Sequence, residues 1–483
     1  MMRREASGLD TLEQQVDRWI AAHEEELLGD IRALVRHRSV SLRGEPGFGP
    51  GCRDALREML SLGARYGLET EDADGLFGVL TLPGGPRTIG LWGHLDVVPE
   101  GDGWVYSPYE CTRVGDFLIG RGVQDNKGPC VAALYALRCI RDLELPMRST
   151  LQQLVGCAEE TGMEDAVRYA ELHPLPDYNI ITDCGFPVCY GEKGMLSVQL
   201  ETEAVFPPFV LDFSGGSVAN IVPDSAFLAL SPDGFAPSLL EALCPPLTVE
   251  RQEDRILLRA AGLAAHAAFP EGSVNAIGVL CGALLQAGLF TGKAQRLLSF
   301  VHDLCASTDG SALGIACEDG ESGALTCVCG VLRFSNGRVE LELNIRYPVT
   351  ADASLLRSQL LQRCGQENVL VTSFTDSAPN YQDKRSVFVR TLNESFNEIT
   401  GERLEPFVMG GGTYARKLPN AVAFGPGLPT EISPLALPAG HGGCHSPDEA
   451  QSIPNLLLAL KIYVLSLVRL DEALEQENAG ESH

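Results

Sequence analysis

At 483 residues the chain is longer than one hydrophobic core usually serves, so two or more domains are expected. With 45% hydrophobic and 21% charged residues it falls outside the disordered class. Lys and Arg number 37 against 64 Asp and Glu, a net charge of -27, which argues against a nucleic-acid partner and against adhesion to an anionic membrane.

The first residues, MMRREASGLD, are basic at the start but run into acidic positions instead of an apolar segment, so no signal peptide is read. Residues 12–38 space Trp19, Ile20, Leu27, Leu28, Ile31 and Leu34 as a helix face. Residues 78–83 and 88–92 read as strands around Pro83-Gly84-Gly85-Pro86. A helix follows at 131–140, a buried strand at 149–157, a helix at 163–173 and a strand at 178–182. This alternation predicts an α/β fold with a mainly parallel sheet and helices on both faces.

After about Pro187 short strands (MLSVQLET, FLALS) alternate with Pro- and Gly-rich turns. Helical segments come at 275–289 and 294–304, a strand at 338–348 and a helix at 351–363. From about 384 long patterns resume and end in a helix over 453–475. The apolar run 456–468 in that helix reads as too short and too polar for a membrane span. Residues 188–383 are therefore read as an α+β domain inserted into a first domain formed by 1–187 and 384–483. Fifteen cysteines without a CxxC pair fit a reduced, cytoplasmic chain that uses Cys as a small apolar residue.

Metal-competent groups sit just past several strand-like runs. IGLW leads to His94 and Asp96, DFLIGRGV to Asp125, LQQLVGCA to Glu159 and Glu160, and YNIIT to Asp183. Side chains past the carboxyl ends of parallel strands converge on one crevice. A single His or Asp there is usually a cap or turn residue, but four unrelated segments together point to a site. Imidazole with several carboxylates suits zinc, manganese or cobalt. Asp96, two residues from His94, is placed to accept the imidazole N–H. Glu159 and Glu160 are adjacent, so one can bind metal while the other accepts a proton beside metal-activated water.

GHLDVVP (93–99), GRGVQDNKGP (120–129), AEETGMED (158–165) and GCHSPDE (443–449) resemble the metal motifs of the dinuclear-zinc aminopeptidase, carboxypeptidase and aminoacylase family. GGGTYARKLPNAVAFGP (410–426) and the long insertion resemble the dipeptidase V subgroup, the carnosinase-like dipeptidases. The resemblance implies two divalent ions, zinc first among them, and a lid formed by the insertion. It makes Asp125 the bridging ligand, gives His94 and Asp183 to one metal and Glu160 and His445 to the other, and makes Glu159 the general base. The peptide bond after Asp125 would be cis, and Asn126 departs from the aspartate often found there. His266, in AGLAAHAAFPEGSVNAI (261–277), would face the oxyanion, with Asn220 and Arg346 also supplied by the lid.

Arg346 can grip a peptide carboxylate in two-pronged fashion, and the Gly410, Gly411, Gly412, Thr413 run can offer N–H groups to it. The expected activity is that of a dipeptidase acting on short peptides with a free carboxylate, in a monomer that carries its own lid. A deacylase or carboxypeptidase is the nearest alternative, and a non-catalytic peptide-binding protein would be expected to lack Glu159 or a ligand. The plainer readings are a solvent-facing histidine for His266, a surface ion pair for Arg346 and a flexible turn for the glycines. His23, His37, His173, His302 and His483 read as surface or capping residues. His441 is a further candidate ligand that Gly442-Gly443 keep from a helical pairing with His445. Cys157, Cys184 and Cys444 lie beside the expected ligands as small packing residues.

Overall fold

The computed structural model of the protein describes residues 11–232, 243 and 246–481. The readings made for residues 1–10 and for His483 lie outside them. The chain forms two compact units: Met1–Tyr190 with Gln382–Phe407 and Gly412–His483, and Gly191–Tyr381 with Val408–Gly411.

In the first unit the opening helix, Leu12–Val35, begins where its composition calls for it. Thr11 Oγ1 accepts from Gln14 N and Gln14 Oε1 accepts from Thr11 N, a reciprocal cap that satisfies two orphan donors. Its apolar face buries Val16, Trp19, Ile20, Leu27, Leu28, Ile31 and Leu34.

The two strands read around Pro83–Pro86 form one extended run, Phe77–His94. Its partner numbering on the strand Ser149–Gly156 falls from Phe77↔Gly156 to Leu82↔Leu151, then rises from Thr88↔Thr150 to His94↔Gly156. The strand 149–156 thus lies between the two halves. The bend needs glycine: a Cβ on Gly85 would stand 1.9 Å from the carbonyl oxygen of Arg148. Thr88–His94 continues parallel to Tyr178–Ile181, which is parallel to Ala421–Phe424. The antiparallel additions are Glu69–Ala73 on Phe77–Thr81 and Val188–Cys189 on Ala423–Phe424. The fold is α/β, parallel at the middle of the sheet, and the strands ending at His94, Gly156 and Ile181 point their carboxyl ends the same way.

Two helices are Lys127–Asp142 and Glu164–Leu172. A third, Pro50–Arg65, was not read from the sequence; its first turn carries Pro50 and Gly51, and Gly51 packs where a Cβ would meet the Arg38 carbonyl at 2.0 Å. The last helix runs from Ile453 to Glu481, longer than expected. By length and composition it could cross a membrane, which corrects the reading of 456–468 as too short and too polar. Its apolar side chains are nonetheless spent inside the protein: Leu456, Ala459, Leu460, Ile462, Tyr463, Val464, Leu467 and Leu470 are all buried.

The second unit is built on an antiparallel eight-stranded sheet. Its order is Thr248–Arg251, Ile256–Ala261, Ser225–Leu230, Val210–Gly215, Thr326–Ser335, Arg338–Tyr347, Gly194–Thr202 and Val369–Ser377. Period-2 alternation of buried and exposed residues in Gly194–Thr202 presents Leu196, Val198 and Leu200 to a core shared with the helices Ala276–Gln286 and Gly292–Ala306.

Three helices of the first unit meet at one buried carboxylate. Tyr66 Oη and Tyr135 Oη donate to Asp30 Oδ2 at 2.6 and 2.8 Å, and the Arg138 guanidinium lies 3.8 Å over the Tyr66 ring. Burial, with the Asp30 bond second, pushes the Tyr66 phenol up to about 12. Asp30→Ala removes the acceptor of two buried hydroxyls; they lie 3.1 Å apart, so one can donate to the other, and the one left over should cost about 1–3 kcal/mol. A thermal melt should show the loss; an unchanged melting temperature would remove the network from the account of stability.

Candidate metal centre

His94 ends its strand fully buried. Its Nε2 faces Asp125 Oδ1 at 2.9 Å and Asp183 Oδ2 at 3.6 Å. The other oxygen of Asp125 faces His445 Nε2 at 3.0 Å, and His445 Nε2 also meets Glu160 Oε1 at 3.1 Å. The carboxylate of Asp125 therefore stands between two imidazoles, one oxygen turned to each. Two sets of ligand atoms lie within 4.8 Å of one another: His94, Glu159 and Asp183, and His94, Asp125 and Glu160. Neither set contains a cysteine.

The electrostatics follow from crowding. Burial resists a charge on His94, yet its bonds to Asp125, Asp183 and Asp96 hold its pKa well above the ordinary value. Asp125 and Glu160 lift His445 to about 10. For Asp125, bonds from His445 and His94 overcome burial and pull the carboxyl down. Burial pushes Glu159 well above the ordinary range, opposed by His94 and aided by the charges of Asp183 and Glu160. Carboxylates packed this closely call for positive charge among them. The donor set, imidazole nitrogen and carboxylate oxygen, fits divalent zinc, manganese or cobalt.

Support comes from Asp96, as expected, and from further side chains that the sequence reading did not assign. His94 Nδ1 lies 2.9 Å from the backbone oxygen of Asp96 and 3.3 Å from its carboxylate, so the expected imidazole–carboxylate bond is shared with the peptide group. The Asp96 carboxylate also accepts from Glu159 N at 3.3 Å and Glu160 N at 3.0 Å. The two preceding N–H groups, of Cys157 and Ala158, both donate to Asp165 Oδ2 at 2.8 Å, and Tyr414 Oη donates to the same atom at 2.7 Å. The peptide bond Asp125–Asn126 is cis. Asn126 is fully buried and works at both ends of its amide: Oδ1 accepts from His94 N at 3.3 Å, while Nδ2 donates to Thr182 O at 2.8 Å and Asp183 Oδ1 at 3.0 Å. Neither set includes His441 or His445; His445 reaches Asp125 and Glu160, whereas His441 is tied by Nδ1 to Asp448 Oδ2 at 2.6 Å. Cys157 is buried, Cys184 intermediate and Cys444 exposed.

In the second unit the structure brings Asn220, His266 and Arg346 into one neighbourhood. Ala267 N donates to Asn220 O at 2.8 Å, and His266 pairs with Ile221 across an isolated bridge. Ala268 N donates to His266 Nδ1 at 3.3 Å. Arg346 is opposite Thr326, whose hydroxyl donates to Ala267 O at 2.9 Å. The buried Arg346 guanidinium is held by Asn344 Oδ1 at 2.8 Å and Gly410 O at 3.1 Å, so it is not the surface-exposed arginine weighed above. A Cβ on Gly410 would press on Ala268 at 2.8 Å; Gly411 has open space, with only Met409 Sδ near at 3.6 Å. In the first unit Gly412 packs on Arg416, and Thr413 Oγ1 caps a short helix by accepting from Ala415 N at 3.1 Å.

The model of peptidase family M20/M25/M40 matches residues 90–469. The chain is 31% identical over 468 residues to a Bacillus subtilis (strain 168) protein called "Putative dipeptidase YtjP", covering 92% of this chain and 97% of that one. Among solved structures, human carnosine dipeptidase 1 aligns with a TM-score of 0.58 at 16% identity, over 96% of this chain and 99% of its own. Aminoacylhistidine dipeptidase from Vibrio alginolyticus aligns with a TM-score of 0.55 at 14% identity, over 91% and 96%. At those identities the two structures establish a common fold.

The amide of Asn126 sets up a direct test. Asn126→Asp places an acceptor where Thr182 O and Asp183 Oδ1 need a donor, at a cost of about 1–3 kcal/mol. The introduced carboxyl can donate only when protonated, so its penalty should be small near pH 5 and grow as pH rises. Melting temperatures from pH 5 to 8 that track the native protein in parallel would refute the donor role.

Proposed function

The chain belongs to peptidase family M20/M25/M40, and from that membership we propose that it is a two-metal dipeptidase hydrolysing short peptides with a free C-terminal carboxylate. The observation that carries the reading is Asp125 between His94 and His445, with Glu159, Glu160 and Asp183 around it. In this reading the unit holding residues 1–190 is catalytic and the inserted one is its lid. The name of the Bacillus relative and the aligned dipeptidase structures support the choice of dipeptides. Free cysteines throughout the described residues support a reducing, cytoplasmic setting. One chain carries every residue in the reading, so a monomer is the proposed working form.

His94 and Asp183 would hold one divalent ion and Glu160 and His445 the other, with Asp125 shared, and the ions would supply Lewis acidity and a water of lowered pKa. Glu159 takes the proton of the attacking water and returns it to the leaving amine nitrogen. Its backbone N–H bond to Asp96 fixes the start of its side chain for both transfers. Asp96 also keeps His94 oriented through Nδ1, leaving Nε2 toward the cluster. The N–H of Ala268 on His266 Nδ1 places the proton of the neutral ring on Nε2, where it can donate to the developing oxyanion. Asn220 lies beside it as a second polar contact for the same oxygen. Arg346, held flat by Asn344 and Gly410, meets the substrate carboxylate, and Gly411, Gly412 and Thr413 offer N–H groups to it.

Adjacent glutamates should separate cleanly. Glu159→Gln should keep both metals by atomic emission while turnover falls by roughly 100- to 10,000-fold, the usual worth of a positioned proton carrier. Glu160→Gln should instead lose metal occupancy. Metal lost from the first variant and kept by the second would exchange the two roles. Chelation should abolish activity in the native chain, with zinc, manganese or cobalt restoring it.

Substrate length tests the carboxylate grip. Amidating a dipeptide's C-terminus should cut kcat/KM by an amount equivalent to about 2–5 kcal/mol, the range for breaking a desolvated charge pair. Arg346→Ala should already have lost that increment, so the amide penalty should nearly vanish there. Equal rates on a dipeptide, its amide and a tripeptide would point to a general aminopeptidase; preference for N-acyl amino acids would point to a deacylase.

A further inference from the structure

We propose that Glu449, which belongs to neither ligand set, is the positioning residue for Asp125. The inference rests on the reading of Asp125 as the shared ligand and adds the residue that holds it in place. Glu449 is completely buried four positions past His445. One carboxylate oxygen, Oε1, accepts from three backbone N–H groups: Gly122 at 3.0 Å, Gln124 at 2.8 Å and Asp125 itself at 3.1 Å. The other oxygen takes Arg121 Nη1 at 2.7 Å, and the backbone oxygen of Glu449 accepts from Gly120 N at 3.0 Å. Residue 449 therefore engages the whole segment from Gly120 to Asp125.

That segment joins the strand Phe117–Ile119 to the helix Lys127–Asp142 and has no ladder partner for these donors. Three N–H groups converging on one oxygen favour full negative charge, because charge-assisted bonds are roughly twice as strong as neutral ones. A buried carboxylate is costly without a cation, and Arg121 supplies it, itself buried and stacked 5.2 Å from the Trp104 ring. A buried ion pair holds only if its remaining lone pairs are also bonded, and the donors that satisfy Oε1 decide what the pair orders. Here Oε1 is committed to the segment that ends at Asp125. Asp448 adds a parallel tie, accepting from Val105 N and Tyr106 N at 3.0 and 2.9 Å and from His441. The short stretch 445–449 thus carries one expected ligand and the acceptors that order two loops. A ligand carboxylate whose backbone shifts by even a fraction of an ångström no longer matches both neighbours.

The test compares two neutral double variants of the full chain. In Arg121→Met with Glu449→Gln the amide oxygen still accepts from the three N–H groups. In Arg121→Met with Glu449→Leu no acceptor remains. With metal stripped, zinc affinity measured by competition with a chromophoric chelator should stay within about threefold of native in the first and weaken about 10- to 100-fold in the second, the usual effect of losing an outer partner of a metal ligand. Amide exchange on the stripped native chain supplies a readout independent of whether the leucine variant folds: Gly122, Gln124 and Asp125 should already be protected before zinc is added. Equal zinc affinity in the two double variants overturns the proposal, and so does exchange protection that arises only on adding zinc. Asp125→Asn is the control for the underlying reading. Native zinc affinity in that variant would remove Asp125 from the ligands while leaving the exchange result for Glu449 intact.

Discussion

Backbone N–H groups just past the ends of the strands Ser149–Gly156 and Phe117–Ile119 have no ladder to join, and buried carboxylates take them. Everything at the metal cluster depends on that exchange. Four consecutive N–H groups, from Cys157 to Glu160, are shared between Asp165 and Asp96, two to each. Glu449 takes Gly122, Gln124 and Asp125. An unpaired buried N–H costs as much as a lost hydrogen bond, so these segments could not stop where they do without such acceptors. A carboxylate does the work of two or three neutral acceptors and leaves the chain free of regular structure where a ligand must point inward.

The arrangement has a visible cost. Burial, with the Asp96 charge adding to it, raises the Asp165 carboxyl to about 6 in spite of its bonds from Tyr414 and two N–H groups. Glu449 is likewise raised by burial and by the nearby Asp125, against the pull of its own donors and of Arg121. Charges held this way cost the fold stability unless their bonds and partners repay the desolvation. A net charge of -27 is consistent with a chain that places carboxylates inside as well as outside.

How much of this could be read from the sequence follows from what sequence displays. His94, Asp125, Glu159, Glu160 and Asp183 were legible because metal-competent residues stood just past β-patterned runs, and the structure brings them together with His445. Of their supports only Asp96 was legible, as the partner of His94. Asp165 and Glu449, and Asp96 in its second role, act on backbone N–H groups, and no residue type announces that a peptide group lacks a partner. Asn126 was noticed as a departure, but its two-ended role depends on Thr182 and His94 being neighbours, which only the sheet order 88–94 beside 178–181 creates. The helix Pro50–Arg65 was not read; proline suits a helix's first turn, and glycine here permits close approach to Arg38. The reversal of register around Pro83–Pro86 escaped because a turn and a wide bend share the same residues.

Asn126 also bears on charge at the cluster. Asp125, Glu159, Glu160, Asp183 and, behind His94, Asp96 already crowd carboxylates together. A further ionised carboxylate at position 126 would add to that crowding and would face the Thr182 oxygen and Asp183 with lone pairs on every side. The amide avoids both problems. It gives Asp183 a donor without spending a charge, and it receives the N–H of His94 on its other end. Neutral polarity at this one position lets the backbone of one expected ligand and the side chain of another be fixed by the same three heavy atoms.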